Sequence, residues 1–339
     1  MRATFTQDQL DIEKTVRALA EGEDVGSRAT LTAPWTAPAC DAVLLRDFGL
    51  LGVPESAGGV GSSLIDLLVA VEALGEHLVP SRFPAHAAAV QLAAGVGTLP
   101  DEVLEGRRVL TPAVDVPAHS GWGDRVPNDL LIRTLVRYAA QADALVGLSA
   151  DGVWIADPAG IAPRVSFDPS VPLSDVTLTQ PEQVAPAGSG VQRATLVAAA
   201  ELCGVAQGAI ELAAGYARTR EQFGRVIGSF QAVAFQLAEA ATMRKAAWDL
   251  TLYAAWAVEL GRPEAAAQVH AAKAAAGKAA VFAAERCIQV HGGMGITMEA
   301  DPHLYLRRAF VLDAVLGRGS WHRRRAGELR VAARRTVST

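Results

Sequence analysis

Between Gly190 and about Ala333 proline nearly vanishes and alanine becomes abundant, a pattern that commits this stretch to long, closely packed helices. Proline removes a helical hydrogen bond and clashes with the preceding turn, whereas alanine loses no side-chain entropy on entering a helix. Val233, Leu237, Ala240, Met243, Ala247, Leu250, Ala254 and Ala257 recur at steps of three and four, so one apolar stripe is expected to face a neighbour. Small side chains cover most of the helix expected over residues 265–284, which lets other helices approach from several sides and places it at the centre of a bundle.

The rest of the chain contrasts with this stretch. From Thr6 to about Arg107 helical patterns also dominate, with turns expected at residues 53–59 and 80–84. From about Val109 to Gly188 prolines and short β-branched runs take over, at residues 145–148, 152–156 and 175–178. The expected fold is therefore mainly α with a small β domain: a helical domain over 1–107, a reduced middle β domain over 108–188 and a helical bundle over 189–339. With no internal repeat and no low-complexity linker, the three zones are expected to form one packed body.

A net charge of -5 on 339 residues gives no electrostatic footprint for nucleic acid. Cys40, Cys203 and Cys287 are odd in number, far apart and without metal-ligand spacing, so neither a disulfide framework nor a zinc site is expected. The N-terminus carries no apolar segment of signal-peptide type. The apolar stretches around 246–260 and 265–284 are interrupted by Asp249, Glu259, Lys273 and Lys278, and read as packed helices, with no membrane span. A reducing cytoplasm is the expected setting.

Two local motifs point to a function. The segment Tyr216-Ala217-Arg218-Thr219-Arg220-Glu221-Gln222-Phe223-Gly224-Arg225-Val226-Ile227-Gly228-Ser229-Phe230-Gln231-Ala232 closely resembles the flavin-contacting helix junction of the acyl-CoA dehydrogenase family. The segment Gln289-Val290-His291-Gly292-Gly293-Met294-Gly295-Ile296-Thr297 stands where that family has its glutamine and paired-glycine motif. A softer match runs from Phe48 to Gly61, followed by a helix carrying Glu72, Leu74 and Gly75. The resemblance implies the family's architecture, a helical domain, a β domain and a four-helix bundle, and FAD as cofactor. The residue chemistry suits it: Arg220 can pair with a pyrophosphate through charge-assisted hydrogen bonds. Phe223 offers an apolar face, Gln231 and Gln289 offer amides, and Gly292-Gly293 allow close backbone approach. His291 reads as a structural residue in a turn, with no identified partner.

The same resemblance exposes a gap. Enzymes of this family need a carboxylate base beside the substrate, because a proton leaves the carbon next to the thioester as the flavin accepts a hydride. The two usual positions of that glutamate are matched here by Leu316, within the stretch 307–318, and by Ala194, ten residues ahead of Gly204. Asp313 and Glu201 are the nearest acidic substitutes, with a solvated or capping role the ordinary alternative. The Thr-Glu pair and Gly-Ser-Asp run that hold the flavin ring in the family have no counterpart in the stretch 110–117. In the family's homotetramers one subunit holds ring and substrate while its neighbour reaches across to the pyrophosphate and adenosine end. This chain keeps the reaching set and has lost the holding set.

The resemblance therefore implies an α2β2 heterotetramer in which a paralogous catalytic subunit carries the base, the ring and the acyl-CoA, while this chain completes the FAD site in trans. The ending Ser320-Trp321-His322-Arg323-Arg324-Arg325 is similar to the short chains of actinobacterial steroid-CoA dehydrogenases, which makes a steroid side-chain thioester or another bulky acyl-CoA the expected substrate class. Two alternatives stand beside this reading: a self-sufficient homo-oligomeric flavoenzyme using Asp313 or Glu201 as a displaced base, and a flavin-free scaffold subunit.

Overall fold

The computed structural model describes residues 4–23, 35–95, 97–114, 131–149, 152–178, 182–185 and 188–337. The N-terminal helices are α1 (Gln7–Glu21), α2 (Asp41–Phe48), α3 (Leu64–Glu76), α4 (Phe83–Ala94) and the short α5 (Asp101–Leu104). Sequence-encoded caps start two of them. Thr6 Oγ1 accepts from the Gln9 amide while Gln9 answers the Thr6 amide, and Ser63 and Asp66 repeat the arrangement at α3. Each such box satisfies two of the amides that a helix start leaves open. The expected turn at 80–84 is shorter than the sequence suggested. Phe83 and Pro84 already form the first turn of α4, where a proline loses no helical hydrogen bond.

Strands follow in two small sheets. One has the order β1 (Leu110–Pro112), β3 (Ala144–Ser149), β4 (Gly152–Ala156), β7 (Glu182–Ala185), and the other β2 (Leu131–Arg137), β6 (Leu173–Leu178), β5 (Pro158–Arg164). All ladders except β1 with β3 are antiparallel. Val136, Leu145, Trp154, Val176 and Leu178 fill a separate core. Gly147 lies opposite Trp154, and a Cβ there would fall 1.9 Å from the indole ring, so the tryptophan dictates the glycine. Of the stretch 110–117, the part beyond residue 114 lies outside the described residues.

The remaining helices are α6 (Gly190–Thr219), α7 (Gln231–Glu259), α8 (Ala265–His291), α9 (Pro302–Ala314) and α10 (Gly319–Val337). The alanine-rich α8 packs against α6, α7, α9 and α10, the central place that its small side chains imply. One main core runs unbroken from the N-terminal helices through this bundle. Where α3 crosses α6 the two backbones touch. A Cβ on Gly204 would sit 2.1 Å from the Glu72 carbonyl oxygen, one on Gly208 2.0 Å from that of Glu76, and one on Gly75 2.6 Å from that of Glu201.

The helix α6 is long and apolar enough to cross a membrane by composition, yet 78% of its apolar window is buried inside the protein, as a core helix requires. The stripe expected on α7 divides. Ala240, Ala247, Ala254 and Ala257 are fully buried, whereas Val233, Leu237 and Met243 are only half-covered and Phe235 is 66% exposed. The first half of α7 thus carries apolar surface that the described residues do not cover.

Candidate cofactor-binding site

At the end of α6 the chain turns through a two-residue hairpin. β8 (Glu221–Gln222) pairs with β9 (Arg225–Val226), leaving Phe223-Gly224 as the turn, and the Ile227 amide donates to the Arg220 carbonyl at 2.8 Å to close its base. Both turn residues have positive φ, 54° and 76°, the geometry that matches the strand twist and normally selects Asn-Gly. A phenylalanine there costs about 1–2 kcal/mol in Cβ crowding. It is also 93% exposed, so the fold gains no burial in return. Phe223 thus combines backbone strain with an aromatic ring left in solvent. Beneath it Phe230 packs edge-on at 6.1 Å, and the Arg225 guanidinium lies 4.0 Å over the Phe230 ring.

Arg220 is exposed at the foot of this hairpin. Gln231, also exposed, opens α7, whose N-cap residue Phe230 supplies no side-chain hydrogen bond. Uncapped amides at the start of a long helix favour an anion. The second motif lies at the end of α8. Gln289 is exposed, Gly292 takes φ 63°, and a Cβ built on Gly292 or Gly293 would meet nothing within 4 Å. That backbone is therefore open to a ligand.

His291 differs from expectation. It is the last residue of α8, not part of a turn, and it has partners: Nδ1 donates to the Cys287 carbonyl at 2.8 Å, and the ring stacks on Tyr216 at 4.2 Å. This stack ties the root of the hairpin to the end of α8, so the structure brings both motifs to one end of the bundle. Neither Tyr216 nor Phe230 stood out in the sequence except as part of a motif.

The positions matched to the family's base present the opposite picture. Ala194 is fully buried on α6, and two turns later Glu201 is 4% exposed, with its carboxylate 3.0 and 3.3 Å from Arg137 Nη1 at the end of β2. The expectation of a solvated or capping Glu201 is therefore wrong. Its burial demands a countercharge, and Arg137 supplies one. Asp313 does cap: Oδ1 accepts from the Gly319 amide at 3.2 Å, at the start of α10.

Leu316, 6% exposed, sits at φ 54° in the turn between α9 and α10. A fully buried cation fastens that turn. Lys273 Nζ donates to the carbonyls of Leu312, Asp313 and Gly317 at 3.1–3.3 Å, and burial, opposed by Asp313, pushes its pKa down to about 8. His322 Nε2 lies 3.0 Å from the Leu316 carbonyl, and its Nδ1 is 2.7 Å from His270 Nδ1. A carbonyl only accepts, so His322 Nε2 carries a proton, and with the ring neutral His322 Nδ1 accepts from His270 Nδ1. Burial, reinforced by Lys273, pushes the His322 pKa down to about 3. Arg308 completes the interior, joining α9 to Asp168 at 2.5 Å and to the Leu78 carbonyl at 3.1 Å.

Sequence reasoning missed Arg137, Lys273 and His322 as interior residues. Lys273 left a usable signal: a cation within an alanine-rich helix expected at the bundle centre must find acceptors indoors.

Residues 187–328 match the family described as "Acyl-CoA dehydrogenase, C-terminal domain". The chain is 32% identical to acyl-CoA dehydrogenase FadE34 of Mycobacterium tuberculosis over 99% of its own length, and it spans 50% of the length of that relative. It is 32% identical to acyl-CoA dehydrogenase IpdE2 of the same organism, over 76% of each protein. Two solved structures are similar throughout at 25% identity. One is the ChsE4-ChsE5 complex from Mycobacterium tuberculosis, with a TM-score of 0.81 over 97% of this chain and 98% of the matched one. The other is a variant of the Tcur3481-Tcur3483 steroid ACAD, with a TM-score of 0.80 over 96% of this chain and 98% of the matched one. With motif, fold and relatives in agreement, the chain belongs to the acyl-CoA dehydrogenase family.

Proposed function

We propose that this chain is the non-catalytic subunit of a heteromeric, FAD-dependent acyl-CoA dehydrogenase, completing in trans the cofactor site of a paralogous subunit that carries the base and the substrate. The observation that carries the reading is the strained, 93% exposed Phe223 at the tip of its hairpin. The residues around it fit the dinucleotide end of FAD. Arg220 would pair with the pyrophosphate, with uncapped amides at the start of α7 adding positive potential. Gln231 and Gln289 would supply amide contacts, Phe223 an aromatic face, and Gly292-Gly293 close backbone approach. When bound, FAD supplies the hydride acceptor for desaturation between the carbons α and β to the thioester.

At the matched base positions Ala194 and Leu316 offer no proton acceptor, and both substitute carboxylates are engaged, Glu201 by Arg137 and Asp313 by the start of α10. A general base contributes about 10²- to 10⁴-fold, so an isolated chain without one is expected to be inactive. Within the heteromer the substrate class is a steroid-CoA or another bulky acyl-CoA. The steroid ACAD and the ChsE4-ChsE5 complex among the similar structures support that class and a paired assembly.

The test is anaerobic flavin reduction by a panel of acyl-CoA and steroid-CoA thioesters, run on the chain alone, on Leu316→Glu and Ala194→Glu alone, and on the complex with its partner. Bleaching is expected from the complex only, because a carboxylate accelerates proton loss only where ring and substrate are already positioned. Substrate-dependent bleaching by the chain alone would show a complete site within it.

A further inference from the structure

The sequence of α10 holds six arginines and one glutamate, a charge of +5 in a chain of net -5, which leaves -10 on the rest. Glu328 is shared by two of those arginines, at 3.7 Å from Arg324 and 2.6 Å from Arg325. Among the described residues, neither Arg323 nor Arg330 has an ion-pair partner, and both are exposed. With 3.6 residues per turn, positions 323, 327, 330 and 334 form one outward stripe: Arg323, Gly327, Arg330 and Arg334. The opposite face is used internally, with His322 and Ala326 buried at 1% and 6% where α10 packs on α8.

Gly327 is the second and independent observation. A glycine inside an exposed helix costs about 1 kcal/mol relative to alanine. At Gly204 and Gly208 backbone contact within the chain explains such a cost, but a Cβ on Gly327 would meet nothing within 4 Å. A body outside the chain that approached the helix backbone at the middle of the arginine stripe would account for it.

We propose that this face of α10 docks a carboxylate-bearing surface of the paralogous subunit, and that its charge disfavours pairing with a second copy. The proposal rests on the heteromeric reading above. A symmetric contact of two copies through α10 would set arginines against arginines, so this face disfavours that self-pairing while attracting an acidic surface of the partner. A membrane surface is the poorer occupant, because the apolar side of α10 is already packed on α8. An extended polyanion would meet repulsion from the -10 carried elsewhere, whereas a local carboxylate patch engages only the stripe.

The experiment uses the co-produced complex, with affinity and mass measured at about 0.05 and 0.5 M salt. Gly327→Leu replaces a poor helix former with a good one and is expected to raise the melting temperature of the isolated chain while weakening the complex by about ten-fold or more. Arg323→Glu with Arg330→Glu is expected to weaken the complex comparably at low salt and to remove most of its salt dependence. Complexes of wild-type affinity in both variants overturn the proposal. So does binding of a DNA oligonucleotide or of phosphatidylserine vesicles that the same variants abolish, which would assign the stripe to phosphate. Arg220→Ala separates this from the cofactor reading: if flavin content ignores Arg220 the cofactor role fails while the docking role can stand, and a wild-type chain that forms a stable homo-oligomer overturns both.

Discussion

Two regions that the family uses for one active site have opposite character here. Around Ala194, Glu201, Leu316 and Lys273 the charged and imidazole groups are paired within the chain: Arg137 Nη1 holds Glu201, three carbonyls hold Lys273, and His270 and His322 complete a chain to the Leu316 carbonyl, with Arg137 Nε left without a hydrogen-bond partner among the described residues. At the hairpin end, an arginine, two glutamines, two glycines and a strained phenylalanine face outward. Burial and pairing at one end and exposure at the other suit a stabilising role for the first region and, on the proposed reading, a cofactor role for the second.

The sharpest way to break this contrast is to remove a charge from the closed region. Glu201→Ala leaves Arg137 buried without its countercharge and should destabilise the chain by about 3–5 kcal/mol in urea titration. A loss near zero would mean that this interior is not the tightly paired region described. Acid should act on the same region with a somewhat smaller effect. The fold keeps His322 neutral, its pKa pushed to about 3 from an ordinary 6.5, so its contribution is complete above pH 6.5 and is lost as pH falls toward 3. Stability measured from pH 7 to 4 should drop by about 3 kcal/mol from this residue, and His322→Gln should flatten that part of the profile.

Changes at the open end should leave stability nearly untouched. Arg220→Ala should weaken flavin retention in the complex by about 1.5–3 kcal/mol, the range for hydrogen bonds to charged groups, without altering the melting of the isolated chain. Smallest is Phe223→Asn, which restores the residue pair that this turn prefers and should stabilise the isolated chain by about 1 kcal/mol while lowering flavin content in the complex. A destabilised isolated chain would show that Phe223 serves the fold.

What the sequence disclosed follows from range. The hairpin motif is local, and the central place of α8 follows from its composition, so both could be read directly. The Arg137–Glu201 pair spans 64 residues and the Lys273 contacts span about 40, and no periodicity links partners so far apart. The partners of His291, itself a structural residue, are out of reach for the same reason. The glycines after it suggested a turn, while the ring that fixes it, Tyr216, comes from another helix. The exposed first half of α7 was hidden differently: its apolar period is genuine, but a period alone does not say whether the neighbour belongs to the same chain.

Flavin stoichiometry tests the division of labour most directly. The complex co-produced with its partner is purified, its mass measured by light scattering, and its FAD counted from absorbance after denaturation. One FAD per heterodimer, with none retained by this chain alone, is the predicted result. Two per heterodimer, or a yellow isolated chain, would contradict the account, because this chain would then hold a flavin site of its own.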